Sequence, residues 1–214
     1  MHIEPGVVQG AKLLLSVGTA LTARSLVLRQ SWRFLVQHGL STLLGRTICT
    51  SVLVFFFFEI LPSSPVGVSE VHLILGSTLF LLFGLVPTAF GLAIGLLAQG
   101  ILLVPWDLPQ YGMNVTTLLL PLFLVSAVAE RIFPRKTAYQ DLSYGQVLQL
   151  SLVYQGGIVS WVAFWAFYGQ GFGAENIVQV LSFGAAYLTV IVLEPLINLG
   201  LFYIVKYRSK IKMK

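Results

Sequence analysis

The sequence predicts an all-α integral membrane protein, a polytopic bundle of about seven transmembrane helices. Three observations point there. Of 214 residues, 57% are hydrophobic and only 10% charged, with a mean hydropathy of +0.87, whereas soluble domains carry about 25% charged residues. Seven apolar stretches follow one another, separated by proline- and glycine-rich breaks. The length suits one bundle of six or seven spans of about 20 residues, so residues 1–214 are expected to form a single transmembrane domain. No signal peptide is expected, because the start lacks a basic segment and a small-residue cleavage site.

Taken in order, the spans are expected at roughly 8–28, 44–61, 71–87, 89–105, 115–133, 146–169 and 177–205. The first is the weakest. It holds Lys12, Arg24, Gly10 and Gly18, and is expected to lie against other helices or partly in the interface. The second ends on Phe55-Phe56-Phe57-Phe58, a packing or lipid-facing run before the break Pro62-Ser63-Ser64-Pro65. Pro87 is read as the end of the third span. The fourth holds Gly91 and Gly95, a GxxxG spacing that favours close helix packing, by default within the bundle. Pro105-Trp106-Asp107-Leu108-Pro109 and Pro134 bracket the fifth, and Gly169-Gln170-Gly171-Phe172-Gly173 closes the sixth. Within the sixth, Gln155 is expected to bond to another helix. In the seventh, Glu194-Pro195 is either a buried acid that needs a partner or one hydrated near the interface. The lone Cys49 reads as a core thiol.

Charge placement sets the orientation. Arg24, Arg29, Arg33 and Arg46 flank the first connection, and Arg131, Arg135 and Lys136 flank the fifth. Lys206, Arg208, Lys210, Lys212 and Lys214 belong to a basic tail, 206–214. With seven spans these twelve share one side, the cytoplasm by the positive-inside rule. Glu4, Glu59, Glu70, Asp107 and Glu175 collect on the other, with no basic residue. The amino terminus is therefore expected outside and the carboxyl terminus inside. The net charge of +5 then reflects lipid anchoring rather than a nucleic-acid partner.

The chemistry concentrates in an amino-terminal loop, residues 1–7. The Met1 amine and the His2 amide nitrogen close a five-membered ring on a metal, and the same amide with His2 Nδ1 closes a six-membered one. Three nearly coplanar nitrogens suit square-planar Ni2+ or Cu2+ rather than tetrahedral Zn2+. Pro5-Gly6 provides a turn that folds the tip back. Of the other two histidines, His38 lies on the basic side and is given no role. His72 opens the third span at the level of the amino terminus, and is either an ordinary interfacial imidazole or the fourth nitrogen. Glu4, Glu59, Glu70 and Asp107 surround the same mouth, where acids focus cations, orient an imidazole from behind, or are simply solvated loop acids. Gln110, Tyr111 and Asn114, in a second outer loop, are expected to hold the folded tip by hydrogen bonds. Glu175 reads as a solvated acid. Asn114-Val115-Thr116 matches a glycosylation acceptor but abuts the membrane.

Met1-His2-Ile3, Gly67-Val68-Ser69-Glu70-Val71-His72-Leu73 and Gly112-Met113-Asn114 together resemble the CbiM/NikM family. Its members are the substrate-capturing S components of energy-coupling-factor importers for cobalt and nickel, and the likeness runs through most of the chain. It implies a Co2+ or Ni2+ substrate held by the Met1 amine, the His2 amide and imidazole, and His72, in a cell inner membrane. It also implies partners: a transmembrane T subunit, ATPase A subunits that hydrolyse ATP, and a small auxiliary membrane subunit. The absence of a P-loop motif here agrees with that division of labour. The chain departs from the family in carrying Pro5 where an acid is usual, in Glu70, and in Trp106-Asp107-Leu108-Pro109-Gln110-Tyr111. Two other classes stand beside this reading: an intramembrane hydrolase using His72 with Ser69 or Ser77, and a membrane scaffold without a ligand.

Overall fold

The structure is a computed structural model that describes residues 3, 5–61, 63–133 and 142–212. Pro62, Pro134, Arg135, Lys136 and Lys214 lie outside the described residues. The element order is α1 (Leu13–His38), α2 (Leu40–Glu59), β1 (Ser64–Val66), β2 (Ser69–Val71), α3 (Gly76–Phe83), α4 (Leu85–Leu102), α5 (Tyr111–Ile132), α6 (Tyr144–Gln170) and α7 (Ala174–Lys212). Short 3-10 turns at Gly10–Lys12 and Pro105–Gln110 lead into α1 and α5. Among the described residues, six of these helices are long and apolar enough to cross a membrane.

The first helix runs well beyond its expected end. No proline interrupts 13–38, so the chain stays helical to Gly39, whose φ of 80° makes the turn into α2. Arg29 and Arg33 therefore sit on a helix rather than in a connection. Lys12, expected inside the span, stands just before it. Its Nζ donates to the carbonyls of Tyr168 and Gly169 at 2.9 and 3.0 Å. The cation thus caps the carboxyl end of α6, where unpaired carbonyls favour positive charge. At the other end of α6, Ser143 and Gln146 form a capping box.

The largest departure concerns the third span. Pro87 does not end a helix; it lies in the first turn of α4, where its missing N–H costs nothing. The break is at Gly84, with φ 86°. What precedes it is a helix of only eight residues, about 12 Å long at 1.5 Å per residue, against a hydrocarbon thickness of about 30 Å. A Cβ at Gly91 would meet Thr50, and one at Gly95 would meet Val54. Residue numbers on α2 and α4 therefore rise together, and the two helices run in the same direction. The intervening chain must return from one end of the bundle to the other. It does so through a β-hairpin, an extended stretch at 72–75, and α3. Non-helical backbone at such depth is tolerated only where protein covers it, and His72, Ile74 and Leu75 are all buried.

The GxxxG spacing thus serves packing of α4 on α2 inside the bundle. Cys49 is exposed on α2, contrary to the expectation of a core thiol, because Thr47 and Thr50 occupy the inward positions of that turn. The phenylalanine run divides: Phe57 and Phe58 are buried while Phe56 is exposed.

Glu194 is completely buried on α7, so the hydrated alternative is overturned. Its Oε1 accepts from the backbone N–H of Ser77 and Thr78 at 3.0 and 3.2 Å. These belong to the donors that the first turn of any helix leaves unpaired. The acid of α7 is thus the cap of α3.

Candidate metal-capture site

The site region is assembled at the end of the bundle where the hairpin, the start of α5 and the amino-terminal loop meet. The stretch before the third helix is an antiparallel hairpin pairing Ser64 with Val71, Pro65 with Glu70 and Val66 with Ser69. Its two-residue turn begins at Gly67, where φ is 63°, the sign that hairpin turns of this length require. Ile3 adds an antiparallel bridge to Ser69 on the hairpin's edge. The Ile3 N–H donates to Asn114 Oδ1 at 2.9 Å, and the residue is 1% exposed.

Two further contacts fasten the amino-terminal loop. Val7 and Val8 are buried, and the Val7 carbonyl lies so close to Gly169 that any Cβ there would overlap it. Pro5 and Gly6 form the expected turn, with Gly6 at φ 98°. Met1, His2 and Glu4 lie outside the described residues.

His72 does not open a helix. It follows β2 in the extended stretch, 2% exposed, and Gly76 begins α3 four residues later. Phe58 meets the imidazole edge-on with ring centroids 5.2 Å apart. Glu70 Oε2 lies 3.4 Å from His72 Nε2. A carboxylate so placed favours the tautomer with the proton on Nε2 and the lone pair on Nδ1.

The expected helpers separate. Asn114 contacts the loop, as anticipated, but from the first turn of α5 rather than from a loop, since α5 already begins at Tyr111. Tyr111 does not: its hydroxyl donates to the Ala93 carbonyl at 2.9 Å, tying α5 to α4. Gln110 is buried, with Oε1 unpaired among the described residues. Asp107 sits half-buried with Gln99, Tyr111 and Asn114 around a small cleft. Glu59 and Glu175 are exposed; Glu175 lies in the first turn of α7, where a negative charge is favourable. Among the described residues, no three side chains of His, Cys, Asp or Glu gather into a metal-binding group. The contribution of Phe58 carried no signal in the sequence beyond its place in an aromatic run.

The family model for the cobalt uptake substrate-specific transmembrane region matches residues 2–211. The chain belongs to the CbiM family. It is a multi-pass membrane protein and a membrane component of cobalt uptake, in accord with its six long apolar helices. No curated protein and no solved structure matches it.

Proposed function

We propose that this CbiM-family protein captures Co2+ or Ni2+ as the S component of an energy-coupling-factor importer. The ion is held by the Met1 amine, the His2 amide nitrogen and imidazole, and the His72 imidazole. The observation that carries this reading is the seating of Ile3. The residue that follows His2 is buried, bonded to Asn114 and bridged to Ser69, three residues before His72. Glu70 would keep the lone pair of His72 on Nδ1. Glu4, Asp107 and Gln110 would line the approach, and Asn114 would hold the loop down.

Four nitrogens in a plane discriminate by geometry against ions that prefer a tetrahedron or oxygen ligands. The protein has no P-loop motif, so inward release would depend on partners: a T subunit, ATPase A subunits and a small auxiliary membrane subunit. The Ser77 form of the hydrolase reading gains nothing from the geometry, since Ser77 Oγ has no hydrogen-bond partner among the described residues and a nucleophile needs a base within reach.

The test is stoichiometric metal binding to purified protein that begins at Met1, measured by elemental analysis and titration calorimetry with Ni2+ and Co2+. One residue added before Met1, or His2→Ala, should abolish binding, and His72→Ala should weaken it severely. Unchanged binding in both histidine variants would sink the ligand assignment.

A further inference from the structure

Glu194 has a second set of contacts that capping does not require. Its Oε2 accepts from Ser151 Oγ at 2.7 Å and from Gln155 Nε2 at 3.1 Å. The same Gln155 nitrogen donates to the Ile74 carbonyl at 2.9 Å, and the Ile74 N–H donates to the His72 carbonyl at 3.0 Å. A continuous chain of hydrogen bonds therefore runs from Glu194 on α7, through Gln155 on α6, to the backbone of His72. On the other oxygen, the Ser77 and Thr78 N–H groups fix where α3 begins, and Thr78 Oγ1 lies 3.4 Å away. Asn198, one turn further along α7, donates to that Thr78 hydroxyl at 2.8 Å. Both ends of the extended stretch between His72 and α3 are thus tied to one carboxylate.

We infer that Glu194 is a positioning residue for metal capture: it holds segment 72–78 so that His72 presents its imidazole at a fixed angle to the amino-terminal loop. The inference rests on the proposed role of His72 as a ligand. An extended stretch has no internal ladder of its own, so its direction is set by whatever its backbone groups bond to. Here a carboxylate suits the task better than an amide. It offers two oxygens with about four lone-pair sites and no donor, and five donors converge on it. Glu194→Gln keeps the size but replaces one acceptor oxygen with an NH2. Gln155 must then turn its amide to offer Oε1, which has no partner among the described residues, and its nitrogen leaves the Ile74 carbonyl. A buried acid held only to stabilise the bundle would not need that second link.

The experiment compares wild type with Glu194→Gln and with Gln155→Leu, a milder variant that cuts the link to Ile74 but leaves the cap on α3 and the Ser151 contact. Each protein is titrated with Ni2+ and Co2+, and the d–d absorption of bound nickel is recorded with the thermal midpoint in detergent. Amide hydrogen exchange over 72–78 is followed without metal. Groups that orient a metal ligand from behind typically change affinity by about 10–100-fold. Both variants should therefore bind at least about tenfold more weakly and shift the nickel band, and Gln155→Leu should do so with a smaller fall in thermal midpoint than Glu194→Gln, because the cap on α3 is kept. Exchange at Leu73 and Ile74 should quicken in both. Wild-type affinity and spectrum in Gln155→Leu would overturn the positioning role and leave Glu194 a helix cap only. Unchanged exchange in both variants would overturn it without reference to metal. If wild type itself bound neither ion, the proposed capture function would fail, while the exchange data would still judge the clamp.

Discussion

Asn114→Ala removes a side-chain anchor of the loop that would carry the metal, the 2.9 Å bond from the Ile3 N–H. Both partners are buried, so truncation leaves a backbone donor without an acceptor, a loss of about 1–3 kcal/mol. Burial of the Ile3 side chain opposes release of the loop by about 1.5–3 kcal/mol. The loop is thus weakened but not set free. If metal binds only the docked loop, apparent affinity falls with the docked fraction. At 1.4 kcal/mol per tenfold, the full loss corresponds to about 5- to 150-fold in affinity where the metal-free loop is mostly undocked, and to about twofold or less where the variant loop stays mostly docked. Calorimetric titration with Ni2+ reads this directly. Tyr111→Phe is the control, since its hydroxyl serves α4 rather than the loop, and it should leave affinity within about twofold. Equal affinity in Asn114→Ala and wild type, with amide exchange at Ile3 much quickened in the metal-free variant, would refute the premise that a docked loop is needed for capture.

Gly169→Ala places a Cβ onto the Val7 carbonyl; the loop must lift, so metal affinity should fall and limited proteolysis near the amino terminus should quicken, whereas an unchanged digestion pattern would contradict the close approach. Gly91→Ala should separate α4 from α2 at Thr50, costing about 1–3 kcal/mol as overpacking does and lowering the detergent thermal midpoint by several degrees, with metal affinity little changed. If the metal binds an amine, an amide and two imidazoles as proposed, its binding displaces protons. Since an ordinary imidazole titrates near 6.5, apparent affinity should drop by at least about tenfold per pH unit below about 6.5; a flat profile between pH 5 and 8 would exclude imidazole ligation.

Membrane character was legible at once, because hydrocarbon accepts long apolar helices and little else. The sequence also marked Gly91 and Gly95 as packing positions and Gln155 and Asn114 as polar anchors, and left Glu194 either buried with partners or hydrated near the interface. Each is a residue whose chemistry demands a particular surrounding wherever it is placed. The third span was misread because Pro87 signals an end and a beginning with the same letter. Only the neighbouring φ at Gly84 and the partners of α3 separate the two. Tyr111 was assigned to the wrong neighbour for a similar reason: a hydroxyl must find an acceptor, but sequence does not say which carbonyl is within reach.

The sequence by itself determined that this is a polytopic membrane chain with a histidine at its tip and another after Glu70, since composition and local pattern are properties of the chain alone. Only the tertiary structure decided that the loop beginning at Ile3 folds onto the hairpin beside His72, and that Glu194 reaches across α6 to hold the broken third crossing. Those pairings join residues 66 to 120 positions apart, and contacts at such separation are chosen by packing and by the requirement that buried polar groups be satisfied, not by any neighbour in sequence.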